Sequence, residues 1–187
     1  MTTRPKRWSF ATRVLHWLSA ASIATMLVLG VDMVWFVDDA ARRFDLYQRH
    51  KTLGVFVFAL AVARIAVRAA AHGPAWPEAM SRLRRAAAGG AHAALYALSF
   101  AATLTGYAMV STSPIPLPVA LPGGLSVPNL FRPDFAASER WKAAHHASVL
   151  ALGLLVAAHA GAALWHRFFE RDEVLSRMGF GGGGHSP

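Results

Sequence analysis

Apolar residues along this chain gather into four long runs, and the stretches between them are rich in Arg, Pro and Gly. The first covers about residues 10–31, with only Arg13 and His16 near its start. The second covers about 50–67, with Arg64 near its end. The third covers about 89–110 and carries no formal charge. The fourth covers about 143–165 and holds His145, His146 and His159. A bilayer-crossing helix needs about 20 mostly apolar residues, so the pattern predicts four crossings. A water-soluble bundle needs a polar face on every helix. Ser19 to Leu29 and Phe100 to Val110 offer almost none. The expected fold is all-α: a four-helix transmembrane bundle, built as a single domain by residues 1–180. Residues 181–187 begin with four consecutive Gly and are expected to form a flexible tail, so His185 receives no role. The first run is too long for the apolar part of a signal peptide, and no small-residue cleavage motif follows it. It is read as an anchor that stays.

Composition sharpens this picture. Of 187 residues, 55% are hydrophobic and 16% charged, against about 25% charged in a typical soluble domain. The formal charge is +9. A basic balance raises nucleic acid as a partner, but the positive mean hydropathy beside it favours the lipid bilayer. Lys and Arg concentrate on the cytoplasmic side of membrane proteins. With the N-terminus inside, 12 of them fall inside and 7 outside, leaving net charges of +8 and +1. Both termini are therefore expected in the cytoplasm.

The loop between the third and fourth runs, about 111–141, holds six of the ten prolines. It is long for a bundle connection, and such loops are often lids or binding segments. Its Leu117, Val119, Leu121, Leu125, Leu130 and Phe131 suit a loop folded back on the protein or the bilayer surface. A plain spacer is an equal alternative.

The chain has no Cys. That excludes disulfides, thiolate-bound clusters, a Cys nucleophile and c-type haem. No Asp or Glu lies in the core of a predicted crossing, which excludes a carboxylate-bridged di-iron site and argues against a carboxylate proton relay. The chemistry that remains is imidazole, in nine His. An ionisable side chain inside a membrane is costly and marks a functional site by default, although a neutral His also serves as an interhelical hydrogen bonder.

Spacing orders these histidines. His145 and His159 lie 14 residues apart on one predicted helix. That is just under four turns, so both project to nearly the same face, about 21 Å apart along the axis. His50, at the outer start of the second run, matches the depth of His145. His16, about two turns from the inner end of the first, matches His159. Two imidazoles facing each other suit the two axial positions of a haem iron, whereas a structural zinc site asks for four ligands. His146 is the rival of His145, but its 13-residue spacing to His159 turns it to another face. His92 enters the same inner depth as a third imidazole, with packing or a propionate or quinone contact as its possible roles. His72 falls in a polar loop and His166 near the inner interface, and neither is expected to be a ligand.

These residues resemble the bacterial di-haem cytochrome b561 family, related to the cytochrome b subunits of hydrogenases and similar dehydrogenases. The matching pieces are Leu15-His16-Trp17, Arg49-His50-Lys51-Thr52-Leu53-Gly54 and Ala91-His92-Ala93-Ala94-Leu95-Tyr96. The stretch from Trp141 to His145 and His159-Ala160-Gly161-Ala162-Ala163-Leu164 complete the set. The resemblance covers about residues 8–180, and its ligand positions fall on His16, His50, His145 and His159. The Pro-rich loop is longer than in compact members.

The resemblance implies two haem b groups in a multi-pass protein of the bacterial inner membrane. It also implies electron exchange with ubiquinone or ubiquinol. Some members oxidise superoxide on the periplasmic side and reduce ubiquinone. Others relay electrons for a periplasmic redox protein or as a subunit of a dehydrogenase. The expected activity is a quinone-linked oxidoreductase, with no nucleic acid partner. Haem propionates need cations: Arg49, Lys51 and Lys142 are candidates outside, Arg13 and Arg64 inside. Arg49, Lys51, Arg140 and Lys142 together also form an outer cluster able to steer an anion.

Overall fold

The structure is a computed structural model and describes residues 5, 7–70, 73–76 and 80–180. Arg4, Lys6, His72, Glu78 and the tail 181–187 lie outside the described residues. Four long helices carry the chain: α1 (Phe10–Val31), α2 (Ala40–Ala70), α3 (Arg82–Ser111) and α4 (Phe135–Trp165). α1 and α4 each end in a single wider π turn, at Asp32–Phe36 and His166–Glu170.

Local capping chemistry decides where these helices start. A side-chain oxygen ahead of the first turn can accept one of the backbone N–H groups that a helix start leaves unpaired. Ser9 accepts from the N–H of Thr12 at 3.2 Å, and Ser81 from that of Arg84 at 3.3 Å. Asp134 accepts from the N–H of Ala137 at 2.9 Å, and Asp39 from that of Arg42 at 2.7 Å. The last three caps lie well ahead of the apolar runs. α2, α3 and α4 therefore begin at residues 40, 82 and 135 rather than near 50, 89 and 143. Hydrophobicity marks the part of a helix that meets lipid, whereas the cap marks the end of its hydrogen-bond ladder. All four helices are long and apolar enough to cross a membrane.

In hydrocarbon a hydroxyl has no water to turn to, so it must bond within the protein. The hydroxyls of Ser19, Ser99, Thr105 and Ser148 each donate to the carbonyl four residues earlier, at 2.6–2.8 Å. α1 packs on α2, α2 on α3, and α3 most closely on α4. Leu150, Leu154 and Val28 point outward and are about two-thirds exposed, as lipid-facing side chains should be. Only nine hydrophobic residues are buried among those described: Met33, Val37, Val57, Leu60, Ala61, Ala102, Ala108, Val119 and Leu152. Protein interiors are normally close-packed. So sparse a core leaves the centre of the bundle lined by half-buried side chains, the paired histidines among them.

The Pro-rich loop folds back, and it is not a plain spacer. Val119–Ala120 (β1) pairs antiparallel with Ser126–Val127 (β2), with Val119 opposite Val127. Gly123 and Gly124 make the reversal at φ 78° and 76°, a region that side chains with a Cβ rarely adopt. The hairpin is tied to the helices below it. The Thr52 hydroxyl donates to the Ala120 carbonyl at 2.7 Å, and the Tyr107 hydroxyl to the Pro128 carbonyl at 2.7 Å. The Phe131 N–H donates to the fully buried Ser111 hydroxyl at 3.0 Å.

The opposite end of the bundle is closed by the segment after α4. Arg13 donates to the Gly179 carbonyl at 2.7 Å, and the Trp17 indole to that of Met178 at 2.9 Å. The Trp8 N–H donates to the Arg177 carbonyl at 3.3 Å. Hairpin and closing segment thus lie at opposite ends of the bundle. The absence of Cys gives a clean background for labelling. Ser126→Cys and Ser176→Cys, both at exposed positions, should react with an impermeant maleimide from opposite faces of the membrane. Labelling of both from one face would contradict four crossings.

Candidate functional site

α4 carries two imidazoles along its length, and each meets a partner from another helix. The ring of His145 faces that of His50 on α2, with centroids 6.3 Å apart. The ring of His159 faces that of His16 on α1, with centroids 6.2 Å apart. All four are half-buried. The first pair lies toward the hairpin end of the bundle and the second toward the closing segment.

These separations can be tested against a metal held between the rings. A metal–imidazole bond is about 2.0–2.1 Å long. The nitrogen sits about 1.1–1.2 Å from the ring centre, so rings in line across one metal have centroids roughly 6.2–6.6 Å apart. Both pairs meet that spacing. A direct hydrogen bond between imidazoles would bring the centroids closer.

The surroundings of the first pair fit the same reading. His145 Nδ1 lies 2.9 Å from the Ala102 carbonyl oxygen on α3. A carbonyl only accepts, so Nδ1 carries the proton and Nε2 keeps its lone pair. Metal-bound histidines are commonly fixed by such a second bond. Gly106, one turn further along α3, makes room for the ring: a Cβ there would lie 3.0 Å from His145 Cε1. His50 Nδ1 is buried with no hydrogen-bond partner among the described residues. An unsatisfied buried polar atom costs about 1–3 kcal/mol, so this nitrogen is left to be satisfied by something other than the described side chains.

The second pair differs in one respect. Arg64 of α2 reaches His16 Nδ1 at 3.3 Å and stacks its guanidinium over the Tyr96 ring at 5.1 Å. Arginine only donates, so His16 Nδ1 accepts and its proton resides on Nε2. A metal bound through Nε2 requires the opposite tautomer. A metal at that nitrogen would require Arg64 to turn away from His16, which would free its charge for an anion nearby. His92 of α3 is the third imidazole at this level, with its ring 5.3 Å from that of His159. That is too short for two rings across one metal, so His92 stands beside His159 rather than opposite it. Its approach was foreshadowed by depth alone; α3 brings it within contact.

The remaining candidates are placed as follows. Arg13 is held by Gly179 and by the rings of Phe10 and Phe180. Arg49 pairs with Asp45 at 2.8 Å, and Lys142 with Glu139 at 3.4 Å. Lys51 is half-buried beside His50. His146 neighbours His145 but is exposed, on another face of α4. A cluster that depth matching did not single out is His166, Glu170 and Asp172 after α4. Its signal was the i, i+4, i+6 spacing at a helix end.

A four-helix membrane bundle with imidazoles paired across its centre has the architecture of a membrane b-type cytochrome. The family model for prokaryotic cytochrome b561 matches residues 7–181, and the chain belongs to that family. It is similar to cytochrome b561 homolog 2 of Escherichia coli strain K12, with 29% identity over 177 residues, 95% of this chain and 93% of the relative. It is also similar to cytochrome b561 homolog 1 of the same strain, with 26% identity over 172 residues, 92% of this chain and 96% of the relative. Membership makes it a bacterial membrane protein and implies b-type haem binding and electron transfer.

The fit around His145 yields a test. Gly106→Val should push the His145 ring off the Ala102 carbonyl and lower haem content, read as the reduced α-band per mole of protein. Gly161→Val is the control, because a Cβ there meets nothing within 4 Å. Full haem content in the Gly106 variant would remove His145 from the ligand set.

Proposed function

We propose that the protein is a di-haem b-type cytochrome of the bacterial inner membrane with both termini in the cytoplasm. It transfers electrons between a periplasmic donor, superoxide in the first place, and the ubiquinone pool. The observation that carries this reading is the two imidazole pairs, with centroids 6.3 and 6.2 Å apart, joined by one helix. His145 and His159 on α4 are separated by about 21 Å of helix axis. One pair is thus near each face of the bilayer. On this reading His50 and His145 hold one haem b, and His16 and His159 the other.

Bound haem supplies one-electron chemistry at iron. The chain's own residues supply ligation, orientation and charge. Two imidazoles holding one haem would suit it to carrying electrons rather than binding oxygen. The Ala102 carbonyl fixes the tautomer of His145. Arg64, once turned from His16, is the cation best placed to meet a propionate on the inner side, and Lys51 has the matching place beside His50. Arg13 is occupied by the closing segment and is the weaker inner candidate. Arg49, Lys51, Arg140 and Lys142 make the hairpin end attractive to an anion, and such fields raise encounter rates. Glu139 and Asp45 temper this attraction locally.

A second reading is an electron-relay subunit of a dehydrogenase or other respiratory complex. The observation that favours it is the apolar surface of the outer loop, where Ile115, Leu125 and Leu130 are each at least two-thirds exposed. Patches of that kind often mark contacts with other proteins. Rapid haem reduction by superoxide in stopped flow, followed by reoxidation when ubiquinone is added, separates the first reading from this one.

Two further outcomes are expected. His50→Ala should remove about half of the haem and spare the rest, measured by pyridine haemochrome against protein. Loss of all haem from a folded variant would break the proposed pairing. Neutralising Arg49, Lys51, Arg140 and Lys142 together should slow reduction by superoxide at low ionic strength and flatten its salt dependence. An unchanged salt dependence would remove the steering role.

A further inference from the structure

The chain beyond α4 gathers three metal-ligating side chains at one point. After Trp165 the helix widens into the π turn His166–Glu170. Arg171 then takes a left-handed conformation (φ 52°), and the Asp172 N–H returns to the His166 carbonyl at 3.2 Å. His166, Glu170 and Asp172 are thereby brought together, with their ligand atoms all within 4.8 Å of one another. His166 Nδ1 lies 2.6 Å from Asp172 Oδ2 and 2.9 Å from Glu170 Oε2.

The second oxygen of each carboxylate is already engaged. Asp172 Oδ1 accepts from the Val174 N–H at 2.9 Å, and Glu170 Oε1 from Arg84 of α3 at 3.3 Å. Each carboxylate is thus oriented by a fixed donor and turns its other oxygen to the same point. That is the arrangement of an outer shell around a metal site. The three side chains are about one-fifth to one-third exposed, so solvent can reach the cluster and complete a coordination sphere.

We propose that His166, Glu170 and Asp172 bind one divalent transition-metal cation of the zinc type, at a site separate from the paired histidines. One imidazole nitrogen and two carboxylate oxygens suit zinc or a neighbouring first-row ion, with water in the remaining position. Calcium prefers an all-oxygen sphere of six to eight ligands. Two carboxylates and a neutral imidazole also balance the charge of a divalent ion, on a surface otherwise crowded with Arg. The site lies seven residues beyond His159, about 10 Å along the helix axis. Its position points to a structural role, since it joins the end of α4 to the segment that covers Arg13 and Trp17.

The test uses the full chain purified from membranes, freed of loosely bound metal by chelation and titrated with ZnCl2 in a calorimeter. His166→Gln, Asp172→Asn and Glu170→Gln are titrated in parallel, with haem absorbance as the check that each variant is folded. All other histidines are common to the four proteins, so their contribution cancels. The expected result is one saturable site in the wild type, weakened at least about tenfold in every folded variant. Isotherms identical to the wild type in the folded variants would overturn the proposal and leave the cluster as a histidine held by two carboxylates. With three variants, one on the exposed Glu170, the outcome does not hang on any single one folding.

Discussion

A neutral imidazole in hydrocarbon still carries one donor and one acceptor, and nothing around it but protein can satisfy them. That constraint governs the centre of this bundle. His16, His50, His145 and His159 all sit on apolar helices, and each is brought to face another imidazole rather than lipid. Two of the four come from one helix, so the position of α4 fixes both pairs at once. α3 packs most closely against α4, and its Ala102 carbonyl and Gly106 backbone hold His145 in orientation. The small residues on α3 therefore have two tasks: they permit close helix packing, and they leave width for a ring. The sparse apolar core follows from the same demand. A bundle closed tightly over Leu and Ile could not keep rings about 6 Å apart across its centre.

How much of this was legible in the sequence depends on the kind of information each feature rests on. The four crossings were legible because hydrocarbon thickness imposes a length, and length can be counted. The paired histidines were approachable because helix periodicity turns a 14-residue spacing into a face and a distance. Helix starts were not legible from hydrophobicity. Asp39, Ser81 and Asp134 extend α2, α3 and α4 through polar residues that meet headgroups or water, where apolar content says nothing. The approach of His92 to His159 was only half visible, since depth placed it at the right level while lateral position depends on how α3 is rotated. Arg64 against His16 is of the same kind. A long side chain finds its partner through rotamers, and spacing does not encode that.

The two ends of the bundle are finished by different means. At one end, a hairpin turned by two glycines is fastened by hydroxyls from α2 and α3. At the other, a segment that leaves α4 through a π turn runs back across α1 and is held by Arg13 and Trp17. Both devices satisfy backbone carbonyls that would otherwise face an interface unpaired. Both are also anchored at residues close in sequence to one member of the nearest imidazole pair. The hairpin leans on α2 through Thr52, two residues after His50. The closing segment leans on α1 through Trp17, next to His16.

That adjacency bears on how the charge of the protein is used. Arg13 spends its hydrogen bond on the Gly179 carbonyl, and Arg84 is drawn to Glu170, so part of the basic excess near the termini holds the fold together. Arg64 is different. Its partner His16 accepts a bond that a metal-ligating tautomer could not accept, so the contact and a loaded site exclude each other. On the proposed haem reading, that charge would be freed by the same event that brings in an anionic cofactor. In a low-dielectric bundle the cost of an unpaired guanidinium is high. Parking it on an imidazole and on the face of Tyr96 keeps it solvated by the protein until then. The two imidazole pairs are therefore not equivalent. On the proposed reading, one would be pre-set by a carbonyl that selects the ligating tautomer, whereas the other would be guarded by an arginine that must first give way.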